Sequence, residues 1–171
     1  MWVFGYGSLM WNPGFPHEQA QLARIHGYHR APCVWSWVHR GTEARPGLVM
    51  GLDRGGSCVG VAYRVAAADR AATAGYLYER ELVTHVYLPV VSRIRVDALG
   101  IVPALTFVVD RRHVQYAGKL SAAEAARTIR DARGRSGTNP DYFANTIAHL
   151  IELGIRCPRL GGIQRLIEGD G

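Results

Sequence analysis

The spacing of apolar residues changes about two thirds of the way along this chain. Up to residue 109, short apolar runs rich in β-branched and aromatic residues alternate with glycine and proline, which is typical of strands. From residue 121 onward, alanine-rich stretches with helix start signals follow. Strands in one part and helices in another predict an α+β fold, in which an antiparallel or mixed sheet curls into a small β-barrel with flanking helices.

Turn signals separate the strand-like segments from one another. The predicted strands cover residues 2–4, 21–37, 48–52, 58–65, 84–96 and 104–109. The sequence Asp53-Arg54-Gly55-Gly56 lies between two of them and is typical of a hairpin turn. A helical period replaces the strand pattern over residues 66–81, so one helix is predicted within the strand-rich part.

The last third of the chain carries helix start and stop signals. A capping box at residues 121–124 predicts the start of one helix. A Thr-Asn-Pro sequence at 138–140 predicts the start of a second, with Thr138 or Asn139 as its cap, and Gly154 predicts its end. A last short helix is predicted over residues 160–167.

Size and charge restrict the class of protein. A chain of 171 residues and 18.8 kDa predicts one domain over residues 1–171, and 48% hydrophobic with 20% charged residues is typical of a globular protein. The net charge of +6 suits an anionic partner. The basic residues are scattered, however, and form no run of five, so we predict a small anionic substrate and no nucleic-acid partner.

Cysteine spacing and the N-terminal sequence bear on the compartment. Cys33, Cys58 and Cys157 form no C-x-x-C pair and are odd in number, so neither a disulfide framework nor a thiolate zinc site is predicted. His26 and His29 lack the H-E-x-x-H spacing, and no metal is predicted. Because no signal peptide and no apolar run of about 20 residues occurs, we expect a cytoplasmic protein without a membrane partner.

The opening segment, WVFGYGSLMW at residues 2–11, places two glycines and a serine directly after an apolar run. Gly5 and Gly7 remove side chains where another group approaches the backbone, either a ligand or a second strand. A dinucleotide fingerprint would need glycine where Met10 stands, and a G-x-S-x-G elbow would need it at Tyr6 as well. No Gly-Lys-Ser/Thr sequence follows, which excludes a phosphate loop. The pattern predicts a tight turn and leaves its ligand open.

A carboxylate at the end of the predicted helix over 66–81 is the second candidate. Steps of about 100° per residue place Glu81 on the apolar side of this helix and Glu79 outside it. The apolar side consists of Ala71, Ala74, Leu77, Tyr78 and Leu82. Burial raises the pKa of a carboxylate toward values that suit a general base. A salt bridge to an arginine, or a frayed helix end, explains the same pattern.

Taken together, these segments resemble the ChaC-type γ-glutamylcyclotransferases, which cleave glutathione to 5-oxoproline and cysteinylglycine. VFGYGSLMWNPGF looks like the signature loop of that family, and YLYERE looks like the segment that ends in its catalytic glutamate. HRG at 39–41, PGLVMGL and GVAYRV look like its central hairpin. QYAG at 115–118 and SGTNPDYFANT at 136–146 are similar to its later motifs. Five motifs in the same order make the resemblance specific, and it covers most of the chain.

The resemblance implies roles for individual residues. Glu81 is the implied general acid and base. The implied substrate-binding residues are Phe4, Gly5, Tyr6, Gly7, Ser8, Leu9 and Tyr116. Backbone amides of the loop over 6–9 would hold the γ-glutamyl group. Some family members continue Lys-Gly-Gly-Tyr after the glutamate, whereas this chain has Leu-Val-Thr-His at 82–85, so the neighbouring pocket would differ in shape.

The resemblance also implies a fold and a reaction. The fold would be a small β-barrel with flanking helices, and the substrate's own α-amine would attack its γ-carbonyl, without a protein nucleophile, metal or cofactor. The expected partner is a small molecule, glutathione or another γ-glutamyl compound. Other γ-glutamyl amines or amino acids are the nearest alternative substrates. A non-catalytic domain of this fold that binds anions or nucleic acid is a more distant alternative.

Overall fold

The computed structural model describes residues 1–169, in which five strands close into a barrel and four α-helices are formed. The barrel strands are β1 (Trp2–Gly5), β2 (Gln19–Ser36), β3 (Gly47–Arg64), β4 (Tyr87–Val96) and β5 (Gly100–Val109). The helices are α1 (Arg70–Glu81), α2 (Ala122–Arg130), α3 (Asn139–Glu152) and α4 (Pro158–Glu168). Two short strands, β6 (Arg133–Gly134) and β7 (Gly137–Thr138), lie outside the barrel and form a small antiparallel hairpin.

The barrel has the strand order β1-β3-β2-β4-β5 and mixes parallel with antiparallel pairs. β1 runs antiparallel to β3, with Phe4 opposite Ala62, and parallel to β5, with Trp2 opposite Ala104. β4 runs antiparallel both to β5 and to β2. This architecture confirms the predicted α+β fold with a small mixed barrel.

The hairpin turn predicted at residues 53–56 is wrong. These residues lie inside β3, which continues without a break over 18 residues. Gly55 and Gly56 adopt φ angles of 101° and 71°, which glycine tolerates and which let a strand bulge without ending. A glycine pair gives the same local signal in a turn and in a bulge. The long neighbouring strand β2, rather than the local sequence, decides between them.

Close approaches between Cα atoms divide the chain into two compact units. The first comprises Met1–Arg30 and Leu52–His113, and the second comprises Ala31–Gly51 and the chain from Val114. β1, β4, β5 and α1 belong to the first unit, while α2, α3, α4 and the small hairpin belong to the second. β2 and β3 contribute residues to both. The single domain over residues 1–171 stays a prediction.

The first unit buries the apolar side chains that alternate along its barrel strands. Phe4, Ile25, Leu52 and Ile94 belong to one cluster, and each is at most 1% exposed. Because successive strand residues point to opposite faces, one side of each strand supplies this core. The strand patterns seen in the sequence therefore identify the barrel interior.

Helix α1 buries a narrower face than its sequence predicts. It begins at Arg70, four residues later than the predicted start, and buries Thr73 and Leu77. The predicted apolar side is wrong for Ala71 and Tyr78, which are exposed. The Tyr78 ring contacts Phe107 edge-on with centroids 6.1 Å apart, so a large aromatic residue packs while much of its ring meets solvent.

The second unit confirms the predicted helix caps. Ser121 Oγ accepts from the Glu124 N–H at 3.2 Å, and the Glu124 carboxylate accepts from the Ser121 N–H at 2.8 Å. α3 follows the N-cap Thr138, and α4 contains the predicted range 160–167. None of the helices within residues 1–169 is long and apolar enough to cross a membrane.

Asn139 is a fully buried polar residue at the start of α3. Its Oδ1 accepts from the Leu48 N–H at 2.7 Å, and its Nδ2 donates to the Leu48 carbonyl oxygen at 2.8 Å. One side-chain amide thus satisfies both backbone groups of a buried strand residue in the second unit.

Replacing this amide should destabilise the protein. Asn139→Ala leaves the buried N–H and carbonyl of Leu48 without partners, and each unsatisfied group costs roughly 1–3 kcal/mol. We expect a lower free energy of unfolding in urea titrations. Asn145→Ala, at an exposed position of the same helix, is the control and should change the midpoint little. Equal midpoints for both variants would contradict the role given to Asn139.

Candidate active site

The opening loop follows β1 and contains one turn of 3-10 helix, Ser8–Met10. The Met10 N–H donates to the Gly7 carbonyl at 2.9 Å, and the Asn12 N–H donates to the Ser8 carbonyl at 2.9 Å. Arg30 Nε donates to the Tyr6 carbonyl at 2.5 Å. The carbonyl oxygens of three consecutive peptide groups in the loop are therefore engaged.

The N–H groups of the same three peptides point away from those carbonyls, because a trans peptide is planar. They belong to Gly7, Ser8 and Leu9, and within residues 1–169 none of them donates to a protein acceptor. Three adjacent backbone donors without protein acceptors are suited to bind an oxygen-rich ligand.

The two glycines of the loop have different surroundings. A Cβ atom at Gly5 would lie 3.0 Å from Leu9 Cβ, so the close neighbour of Gly5 is the loop itself. A Cβ atom at Gly7 would have no heavy atom within 4 Å. The φ angle of Gly7 is −126°, which does not require glycine. Close packing against Leu9 thus explains the glycine at position 5, whereas Gly7 has open space beside its Cα atom.

Side chains from the barrel strands hold the loop. Tyr63 Oη lies 2.9 and 2.7 Å from the carbonyl oxygens of Leu9 and Met10 and shares its one proton between them. Burial raises the pKa of Tyr63 to about 12, so its hydroxyl keeps the proton that it donates. Arg30 Nη2 also donates to the Val59 carbonyl at 2.8 Å, which fixes this arginine to β3.

Glu81 is the last residue of α1, and its side chain is 17% exposed. Glu79, two residues earlier, is exposed. Burial raises the pKa of the Glu81 carboxyl above its ordinary value, and the charge of Arg80 opposes this shift. The predicted contrast between the two glutamates is confirmed. The alternative explanation, an arginine partner, is also present and acts against the burial effect.

Arg80 joins Glu81 to the opening loop. Its Nη2 donates to Ser8 Oγ at 3.0 Å, and its Nη1 donates to the Asn12 carbonyl at 2.7 Å and to Tyr76 Oη at 2.8 Å. Its Nε lies 3.4 Å from Glu81 Oε1. The guanidinium therefore holds the buried carboxylate and the loop in one assembly within the first unit.

Sequence reasoning missed both arginines. Arg80 is adjacent to Glu81 in a helix, where neighbours usually diverge, and only its contacts reveal its role. Arg30 lies in a long strand among aromatic residues, and its position suggested no partner. A cation in a predicted buried strand is the one signal that could have identified it.

The remaining predicted site residues are more scattered. The Phe4 side chain is fully buried in the core, and its carbonyl accepts from Thr106 Oγ1 at 2.9 Å. Tyr6 and Leu9 are buried. Tyr116 belongs to the second unit, where it forms a bridge with Val34. The substrate contacts assigned to these residues stay predictions.

Metal-binding side chains do not gather in the described part of the chain. Among residues 1–169, no group of three or more His, Cys, Asp or Glu side chains is arranged to hold a metal ion. Separately, a carboxyl with a pKa raised by burial, such as that of Glu81, has the properties of a general base.

Comparisons with known proteins identify the family of this chain. The model of the ChaC-like protein family matches residues 1–166. A glutathione-specific γ-glutamylcyclotransferase of Escherichia coli K12 is 36% identical over 156 residues, which cover 91% of this chain and 68% of that protein. The γ-glutamylcyclotransferase 2-3 of Arabidopsis thaliana is 30% identical over 164 residues, 91% of this chain and 82% of the relative.

A solved structure shows the same fold. The crystal structure of a γ-glutamylcyclotransferase specific to glutathione from yeast has a TM-score of 0.87 and 19% sequence identity, and the match covers 99% of this chain and 98% of that chain. At this identity the structural likeness supports the fold alone. The family match over nearly the whole chain and the 36% identical relative also establish the family. This chain belongs to the ChaC-like family of γ-glutamylcyclotransferases.

Proposed function

We propose that this protein cleaves the γ-glutamyl amide of glutathione by intramolecular cyclotransfer and releases 5-oxoproline and cysteinylglycine. The observation that carries the proposal is the pairing of a buried carboxylate, Glu81, with a loop in which three adjacent backbone N–H groups have no protein acceptor within residues 1–169. The names of the bacterial and plant relatives support the substrate class, since both are γ-glutamylcyclotransferases.

The reaction moves two protons from one nitrogen to the other, because the substrate's α-ammonium group becomes the lactam N–H and the amide N–H of the cysteinyl residue becomes an ammonium group. A bond forms between the substrate's α-nitrogen and its γ-carbonyl carbon, and the bond from that carbon to the cysteinyl nitrogen breaks. Glu81 accepts one proton from the α-ammonium group, which frees the amine to attack, and donates it to the leaving nitrogen. The second proton leaves the α-nitrogen once the new bond has formed and exchanges with water, and a proton from water completes the ammonium group of the released cysteinylglycine. A raised pKa suits both steps, because the same carboxyl must take up and release the proton near neutral pH.

The opening loop supplies binding and charge stabilisation. Lactam formation demands that the flexible glutamyl chain fold back on itself, so a fixed set of donors lowers the entropic part of the barrier. Backbone N–H groups also stabilise the negative charge that develops on the γ-carbonyl oxygen. Arg80 holds this loop and Glu81 together, which keeps the donors and the base at a constant separation.

Measuring which γ-glutamyl compounds are cleaved tests the proposed function. γ-Glutamyl amino acids share the reacting group with glutathione and lack the cysteinylglycine portion. Purified protein is incubated with each compound, and 5-oxoproline is measured. Formation from glutathione supports the proposal, faster formation from γ-glutamyl amino acids alone would assign the alternative substrate class, and no formation from either would refute cyclotransfer.

Glu81→Gln should abolish most of the activity. The amide keeps the volume and hydrogen-bonding capacity of the carboxylate but accepts no proton, so kcat should fall by roughly 10²–10⁴-fold. The matched control is Glu79→Gln, on the exposed side of the same helix, which should retain turnover. Circular dichroism checks that both variants fold. Near wild-type turnover in Glu81→Gln would remove this residue from the mechanism.

The raised pKa of Glu81 also predicts a dependence of stability on pH. A carboxyl whose folded-state pKa exceeds its unfolded value favours the folded state at low pH, and this contribution is lost as pH rises through the folded value. The melting temperature of wild type relative to Glu81→Gln should therefore decrease as pH rises from about 4, near the ordinary carboxyl pKa, to about 8, just above neutrality. Parallel curves, or a relative gain of wild type with rising pH, would contradict the shift.

The two loop glycines should respond differently to alanine. At Gly7 a methyl group enters open space beside the loop donors, so activity should fall while the melting temperature stays close to wild type. At Gly5 the methyl group meets Leu9 at 3.0 Å, so stability should fall. Turnover per folded molecule and thermal denaturation are measured for both. If Gly7→Ala lost stability and kept its specific activity, the loop would be a structural turn only.

A further inference from the structure

Arg30 is a buried cation that has no acidic partner among the residues that the structure describes. Arg30 is 6% exposed, and its N–H groups donate to the carbonyl oxygens of Tyr6 and Val59 and to Met10 Sδ. In residues 1–169 no carboxylate lies within 4 Å of its guanidinium. A buried charge is costly unless it is compensated. Neutral acceptors compensate it partly, and its positive charge remains beside the opening loop.

Through its hydrogen bond to the Tyr6 carbonyl, the charge of Arg30 affects the N–H group of Gly7. The Tyr6 carbonyl and the Gly7 N–H belong to one peptide group, and a hydrogen bond from a cation to the carbonyl polarises that group. The N–H then becomes a stronger donor. In the described chain the Gly7 N–H has no protein acceptor, and the space next to its Cα is open. An anion bound at Gly7 would be stabilised by Arg30 without touching it.

We propose that Arg30 is a positioning residue that acts through the Tyr6–Gly7 peptide to bind the α-carboxylate of the γ-glutamyl group. The inference rests on the proposed function. The α-carboxylate is a permanent negative charge, so it matches a permanent buried cation. The γ-carbonyl oxygen gains negative charge only in the transition state. This assignment leaves the N–H groups of Ser8 and Leu9 for the γ-carbonyl oxygen.

The product 5-oxoproline tests this proposal without turnover, because it keeps the α-carboxylate. Its binding is compared by calorimetry with that of 5-oxoprolinamide, in which the carboxylate is a neutral amide. We expect wild type to bind the acid more tightly than the amide. Arg30→Gln should weaken binding of the acid by about tenfold, in keeping with the cost of losing a charge-assisted hydrogen bond, and should change binding of the amide little.

Two further variants control for net charge and for folding. Arg93→Gln removes the same charge from an exposed position on β4 and should bind both ligands like wild type. Arg30→Lys keeps the charge and should retain part of the preference for the acid. Thermal denaturation reports the folded fraction of each variant. Should Arg30→Gln fail to fold, the wild-type preference and Arg30→Lys still decide the question.

Several outcomes would overturn the proposal. Equal binding of acid and amide by wild type is one, and an equal loss of both ligands in Arg30→Gln is another. If Arg30→Gln bound 5-oxoproline as wild type does but had a lower kcat, Arg30 would stabilise the γ-carbonyl oxygen in the transition state rather than the α-carboxylate. If wild type converts glutathione and Arg30→Gln keeps its affinity for 5-oxoproline, this inference alone fails. If wild type forms no 5-oxoproline from any γ-glutamyl compound, the proposed function fails as well.

Discussion

Hydrogen bonds to backbone carbonyl oxygens hold the opening loop, and the candidate site depends on them. The carbonyl of Tyr6 accepts from Arg30, and those of Leu9 and Met10 accept from Tyr63. Both donors are side chains of barrel strands, so the barrel fixes the loop. The N–H of Gly7 belongs to the same peptide group as the Tyr6 carbonyl, points the opposite way and has no acceptor among residues 1–169, so the bond from Arg30 orders a peptide whose donor is not used by the protein.

Two opposing effects act on the pKa of Glu81, and the larger one decides its direction. Burial raises the pKa of the carboxyl, while Arg80 lowers it. Without burial the group would be a weak base at neutral pH, and without a cation its charged form would be still more costly. Arg80 is held by Ser8, Asn12 and Tyr76, so its guanidinium has little freedom to move away from the carboxylate.

Local signals predicted those features that depend on local interactions. The capping box at Ser121 and Glu124 involves groups three residues apart, and it forms as predicted. The inward side of α1 at Glu81 follows from the helical period. The glycine pair at 55–56 is different, since a turn and a bulge use the same residues and the partner strand chooses between them.

The sequence by itself determined the class of fold, the position of the loop and the inward direction of Glu81, because periodicity and glycine placement act over a few residues. Only the tertiary structure decided that Gly5 serves packing while Gly7 faces open space. It also decided that Arg30 and Arg80 hold the loop. These contacts join residues 24 and 72 positions apart, and such pairings depend on how the barrel closes rather than on any local preference of the chain.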